Sequence, residues 1–284
     1  MPHYLHYDRE QLDQQYNVRS SIPRFQSIFE RWRESAYEYR KQHQLRTNLR
    51  YGQHRLQTLD YLQAEQAGAP LLVFVHGGYW RSLDKSDFTH IAEPYRQAGI
   101  AVALLNYRLT PEVEMPEIIA DVRSAFAWLH GEADKLGFDA DNMYVAGHST
   151  GAHLATMLAS TDWRDTKVPE DAVKGLCSIS GIYDLEPIRR SYLNEALKLD
   201  EAQVTQCSPL HHLPRLHIPI LLTAGSTDST EFQRQLAAYA RRLQAEGFPV
   251  RPIGFANGHH LDMIDQLAQV GSAQSESLIA LIKA

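Results

Sequence analysis

Ser149 sits in Gly147-His148-Ser149-Thr150-Gly151, between an apolar run at 143–146 and small or apolar residues at helical spacing, Ala152, Ala155 and Leu158. A serine on such a strand-to-helix corner presents its hydroxyl above a sheet, where it can serve as a nucleophile. Gly147 and Gly151 suit the corner because side chains there would collide as the helix folds back on the strand. The helix begins just after Ser149. Its unpaired N–H groups and positive dipole end therefore face the place where an oxyanion would form. The plain alternative is a glycine-rich turn in which Ser149 is merely hydrogen-bonded, and a second feature upstream weighs against it.

That feature is His76-Gly77-Gly78-Tyr79-Trp80, directly after the apolar run 71–75. Positions without side chains at a strand end let backbone N–H groups converge on a bound atom, as an oxyanion hole requires. An HGG motif followed by a G-x-S-x-G elbow is the arrangement expected of esterase and amidase sites. The N–H of Thr150 is the first expected donor. By analogy with HGGG enzymes, Gly78 and Tyr79 supply the others, and His76 braces the loop rather than acting as a base. A base and an orienting acid should follow in the order Ser, Asp or Glu, His. Asp228 follows the apolar run 220–223, and Asn257-Gly258-His259-His260 follows the run 250–255. Asp228 could instead cap the helix expected from Thr230. Asp184 is the rival acid, in a position that also suits a cap or turn. Between His259 and His260 these arguments do not choose.

The elements that must position these residues alternate along the chain. Apolar runs at 71–75, 101–105, 143–146, 175–180, 220–223 and 250–255 read as strands, and the segments 86–98, 117–135, 152–160 and 230–246 read as helices. Continuous Val/Ile/Leu runs between helices indicate an α/β fold, a mostly parallel sheet covered on both faces. The chemistry-bearing residues fall at the carboxyl ends of the strands, where open α/β sheets bind ligands. Residues 24–43 place Phe25, Ile28, Phe29, Trp32, Ala36 and Tyr39 on one helical face, and 54–62 alternates loosely as a strand. A single domain over 1–284 is expected, with an N-terminal helical arm at about 1–50. The interruption at about 184–214 reads as a short helical, lid-like insertion forming part of a pocket wall; an ordinary long crossover is the alternative.

Composition narrows the class. With 44% hydrophobic and 22% charged residues the chain can bury a large core. No apolar run approaches the roughly 18 residues of a membrane span, and the polar N-terminus lacks a secretory signal, so no membrane partner and a cytoplasmic location are expected. The first 50 residues carry a net +3 and the remainder −9. This mild split argues against nucleic acid as a partner. Cys177 and Cys207 do not make a disulfide framework. The 14 histidines are scattered, with only His211, His212 and His217 clustered, so no metal and no cofactor is expected. Symmetry allows a homodimer, but no stripe identifies an interface.

The chain resembles the arylformamidase (kynurenine formamidase) family of α/β-hydrolases. Its HGGxW marker matches His76-Gly77-Gly78-Tyr79-Trp80. The likeness continues through Asp13-Gln14-Gln15-Tyr16-Asn17, Gly147 to Leu154, Gly181-Ile182-Tyr183-Asp184-Leu185, and Asp228-Ser229-Thr230-Glu231-Phe232 with Arg234-Gln235. His260-Leu261-Asp262-Met263-Ile264 matches the family's C-terminal histidine segment, with Leu261 where Phe is usual, and so assigns the base to His260. The tryptophan discriminates from HGGG esterases, which lack it.

The resemblance implies an α/β-hydrolase fold and hydrolysis of an N-formyl arylamine such as N-formylkynurenine. The expected catalytic residues are Ser149, Asp228 and His260, with an oxyanion hole of Gly78, Tyr79 and Thr150. Tyr79, Trp80 and residues of 184–214 would line a flat slot for an aromatic amide or ester. A carboxylesterase for short-chain or aryl esters is the nearest alternative, and a non-catalytic binding protein on this fold a distant one.

Overall fold

The computed structural model describes residues 3–253 and 258–284. In chain order its elements are α1 (Arg9–Tyr16), α2 (Val18–Ser21), α3 (Phe25–Gln42), β1 (Arg46–Arg50), β2 (Thr58–Leu62), β3 (Ala69–Val75), a 3-10 segment (Lys85–Ala92), α4 (Glu93–Gln97), β4 (Ala101–Leu105), α5 (Met115–Gly131), α6 (Ala133–Leu136) and β5 (Phe138–His148). There follow α7 (Thr150–Ala159), β6 (Val173–Ile179), α8 (Glu186–Arg190), α9 (Asn194–Leu197), α10 (Glu201–Cys207), β7 (Ile220–Thr223), α11 (Thr230–Ala245), β8 (Val250–Ile253), α12 (Asp262–Ala268) and α13 (Ala273–Ile282). Gly254 and Phe255 of the expected last strand, and Asn257 beyond it, lie outside the described residues.

The strands form one sheet in the order β1-β2-β4-β3-β5-β6-β7-β8. β1, β2 and β4 pair antiparallel, and all pairings from β4 to β8 are parallel. Side chains alternate across it, which explains the continuous apolar runs. In β3, Leu71, Val73 and Val75 enter one core while Leu72 and Phe74 enter the other. Fully burying each such side chain stabilises by about 1.5–3 kcal/mol. Among the described residues no helix is long and apolar enough to cross a membrane.

Local chemistry corrects two expectations. The 54–62 strand shrinks to β2 and is preceded by β1, whose polar, mostly exposed residues form the outer edge of the sheet. The 86–98 helix divides into the 3-10 segment, capped by Asp84, and α4, which restarts at Glu93 with Pro94 in its first turn.

The arm is only partly helical, since β1 ends it. Its α3 buries Trp32, Ala36 and Tyr39, as the stripe predicts. Trp32 Nε1 donates to Asp265 Oδ1 at 2.8 Å, and Arg31 grips both oxygens of the same carboxylate, joining α3 to α12. Asp8 and Gln11 form a capping box that starts α1. At its end, the Tyr16 hydroxyl donates to the buried Glu231 at 3.1 Å and accepts from Gln235 at 2.8 Å, tying the arm to α11. The 184–214 segment carries α8 to α10. There α8 packs on α1 and α10 on α5.

Candidate active site

The carboxyl ends of β3, β5, β6 and β7 deliver His76, Ser149, Ser180 and Asp228, and His260 follows β8 across the undescribed residues. Ser149 is 5% exposed, at φ 58° and ψ −124°. A non-glycine residue in that region costs of order 1–3 kcal/mol and persists only where its surroundings hold it. Here its N–H donates to the Ile179 carbonyl at 2.8 Å, and α7 begins at the next residue. Gly151 is required because a Cβ there would stand 2.0 Å from the Val75 carbonyl oxygen.

His260 and Asp228 are both buried, with His260 Nδ1 3.2 Å from Asp228 Oδ1. The other oxygen, Oδ2, accepts from the Ser180 hydroxyl at 2.6 Å and the Gly225 N–H at 3.1 Å. Burial would raise the Asp228 carboxyl. The neighbouring His260 and the Ser180 hydroxyl outweigh it and hold the carboxyl below its ordinary value. Asp228 does not cap α11, since Ser229 occupies that position. Asp184 instead accepts from the Glu186 N–H and the Tyr4 hydroxyl, so it is a turn residue. His259 pairs with Asp262 at the start of α12, through its own N–H to Oδ2 and its Nδ1 to the Asp262 N–H.

His148, inside the elbow, was not singled out from sequence. Its Nε2–H donates to the His260 carbonyl at 2.8 Å, and the rings lie 4.7 Å apart. Burial, reinforced by His260, pushes its pKa down to about 3, so it is a neutral tether for the His260 backbone. Ser180 was also missed. Its signals were a polar residue closing an apolar run and, in the structure, a positive φ of 48°.

The glycine-rich loop after β3 abuts Ser149. A Cβ on Gly77 would come 3.0 Å from Ser149 Cβ. Gly78, at φ +120°, tolerates no side chain because a Cβ would meet the Ser82 carbonyl oxygen at 2.1 Å. His76, stacked between Phe88 and Tyr107, donates Nδ1–H to the Gly77 carbonyl at 2.7 Å. In a trans peptide this turns the Gly78 N–H to the opposite side. The backbone N–H groups of Gly78, Tyr79 and Thr150 make no hydrogen bond within the described residues.

Trp80 is the clear correction. Positive φ angles at Tyr79 and Trp80 rotate the indole inward, where it is fully buried. Its N–H donates to His153 Nδ1 at 3.2 Å, and His153 Nε2–H donates to the Cys207 carbonyl at 2.7 Å. Trp80 therefore bolts the loop to α7 and does not line the cleft. No residue of 184–214 lines it either. The cavity at Ser149, about 40 Å³, is walled by Val18 and Arg19 of α2, Phe29 and Trp32 of α3, Tyr79, Leu83, Phe88 and Leu261. A second cavity of about 290 Å³ is also lined by Val18 and His260, together with Asp228, Phe232 and His259.

The BD-FAE family matches residues 59–243, from β2 into α11. The chain belongs to this α/β-hydrolase family. A kynurenine formamidase from Danio rerio is 32% identical over 239 residues, covering 82% of this chain and 80% of that protein. Esterase LipC from Mycobacterium tuberculosis is 26% identical over 78% of this chain and 60% of that protein. A crystal structure of a thioesterase candidate from Silicibacter sp. TM1040 superposes with a TM-score of 0.86 at 28% identity, covering 96% of this chain and 99% of that one. In BD-FAE terms the chain is an α/β-hydrolase whose family acts on small esters and amides. The matched span carries Ser149 and Asp228, while α1 to α3, His260 and Leu261 fall outside it.

Proposed function

We propose that this chain is a serine hydrolase that removes a formyl or other short acyl group from an aromatic amine. The observation that carries the reading is the narrow, aromatic-walled cleft ending at Ser149, beside three uncommitted backbone N–H groups. Its size suits a small acyl group, and Phe29, Trp32, Tyr79 and Phe88 suit a ring. The similarity to kynurenine formamidases makes N-formylkynurenine the reference substrate.

Ser149 Oγ attacks the formamide carbon as its proton passes to His260. Asp228 orients the imidazole and stabilises its cation. The N–H groups of Gly78, Tyr79 and Thr150 receive the oxyanion. The C–N bond then breaks as His260 protonates the leaving nitrogen, releasing the arylamine and leaving formyl-Ser149. Water, deprotonated by His260, attacks this ester, and formate leaves as Ser149 regains its proton.

A carboxylesterase is the second reading, favoured by the similarity to LipC and by the ease with which the same groups cleave an ester. The test is kcat/KM on N-formylkynurenine beside 4-nitrophenyl acetate, for wild type and Ser149→Ala. Efficient formamide cleavage that falls by about 10⁵–10⁶ in the variant supports the proposal. Ester cleavage alone, with the same dependence on Ser149, would replace it with the esterase reading.

A further inference from the structure

We propose that Arg19 selects substrates bearing a carboxylate, so that the cleft takes a carboxylate-bearing aryl amide or ester; this rests on the hydrolase reading of Ser149 above. The cleft is otherwise an apolar slot. Val18, Phe29, Trp32, Leu83, Phe88 and Leu261 wall it, and among the described residues Arg19 contributes its only guanidinium. His148, which also lines it, is neutral near pH 7.

The surroundings of Arg19 leave its charge uncompensated. It is exposed at the mouth, with its guanidinium carbon 5.8 Å from the Phe29 ring centroid. Its one hydrogen bond is a long one, from Nη2 to Ser82 Oγ at 3.4 Å, and no carboxylate of the described residues pairs with it. Several other arginines are held by carboxylates, as Arg31 is by Asp265, Arg108 by Asp121 and Arg234 by Glu231. A guanidinium whose fork is turned to a hydroxyl gains charge-assisted, bidentate hydrogen bonds when a carboxylate arrives.

Its placement fits a substrate bound at Ser149. Ser82 Oγ, which accepts from Arg19, itself donates to the Gly78 carbonyl at 2.9 Å. The guanidinium is thus two hydrogen bonds from the oxyanion loop. An acyl group at Ser149, a ring against the aromatic wall and a carboxylate at Arg19 can be engaged by one molecule. Arg81, 5.9 Å from the Tyr192 ring centroid, adds positive potential near Tyr79 without lining the cleft.

The experiment uses two matched pairs, each differing by a carboxylate: N-formylkynurenine with N-formylkynuramine, and 4-acetoxybenzoate with phenyl acetate. The readout is the ratio of kcat/KM within each pair, for wild type, Arg19→Gln, Arg19→Lys and Arg81→Gln. Because it is a ratio, any general loss of activity or folding cancels. Arg19→Gln lowers the ratio on the order of tenfold, discounted for solvent exposure, and Arg19→Lys falls between. Added salt shrinks the wild-type preference. A ratio unchanged in Arg19→Gln overturns the proposal, as does an equal loss in Arg81→Gln. If only the ester pair is cleaved yet keeps an Arg19-dependent ratio, the inference stands and the formamide reading falls. Cleaved formamides with an unchanged ratio give the reverse.

Discussion

Lowering the pH from 7 to 5 should destabilise this fold through two histidines packed behind the site. Burial holds His148 at about 3, with His260 adding to the effect. Burial also holds His153 at about 4, against the opposing hydrogen bond to the Cys207 carbonyl. The geometry agrees for His153. Its Nδ1 already accepts the Trp80 indole N–H, so a proton there would set two donors against each other. In the unfolded chain each ring takes up a proton below about pH 6.5, whereas the folded chain resists until its depressed value. The unfolded state therefore binds more protons throughout the window, and stability falls as pH falls. Between pH 7 and 5 each histidine contributes about 2 kcal/mol of loss, or roughly 4 kcal/mol together. Asp228, held low, acts in the other window. Its contribution is present above the unfolded carboxyl value near 3.9 and is lost only below that. Calorimetric melts at pH 7, 6 and 5 should show Tm falling by about 7 °C. His90, held at about 4 chiefly by burial, steepens the fall. His153→Gln should flatten the slope relative to wild type, whatever its Tm at pH 7. A wild-type Tm that holds steady to pH 5, or an identical slope in the variant, would refute the reasoning.

Three further outcomes can be checked by mutation. Gly78→Ala sets a Cβ 2.1 Å from the Ser82 carbonyl oxygen at φ +120°, so it should cut kcat by about 10²–10³ through the oxyanion loop, read by steady-state kinetics. Trp80→Phe keeps a ring but removes the donor to His153; the expected change is a loss of kcat on the order of tenfold with little change in KM. A change confined to KM would return Trp80 to the cleft. Asp228→Asn should lower kcat by about 10⁴, while Asp184→Asn, at a turn 44 positions earlier in the chain, should stay within about tenfold of wild type. Comparable losses would reopen the choice of acid.

The sheet was legible because strands buried on both faces must be largely apolar, as β4 is throughout and β7 is up to Thr223. β1 was not, since an edge strand of Arg and Asn residues carries no such mark. Ser149 and Asp228 stand out in the sequence because glycines and short strand ends constrain what surrounds them, whereas the choice of His260 over His259 comes only from the family resemblance. The cleft walls were not. Val18, Arg19 and Trp32 reach Ser149 only because Tyr16 pairs with Glu231 and Trp32 with Asp265, contacts between distant parts of the chain. Trp80 was misplaced for a local reason. Two successive positive φ angles reverse the side-chain direction that an extended strand end would give.

The bond between Tyr16 and Glu231 spans 215 positions, and the cleft it closes combines α2 with His260. During synthesis at about 5–20 residues per second, α1 and α2 leave the ribosome well before the surface that receives them exists. These helices are thus made before, and seated after, most of the sheet they cover. No nascent fragment that stops short of His260 holds the walls, the acid and the base together, so the site is complete only once the strand β8 and the histidine after it have emerged.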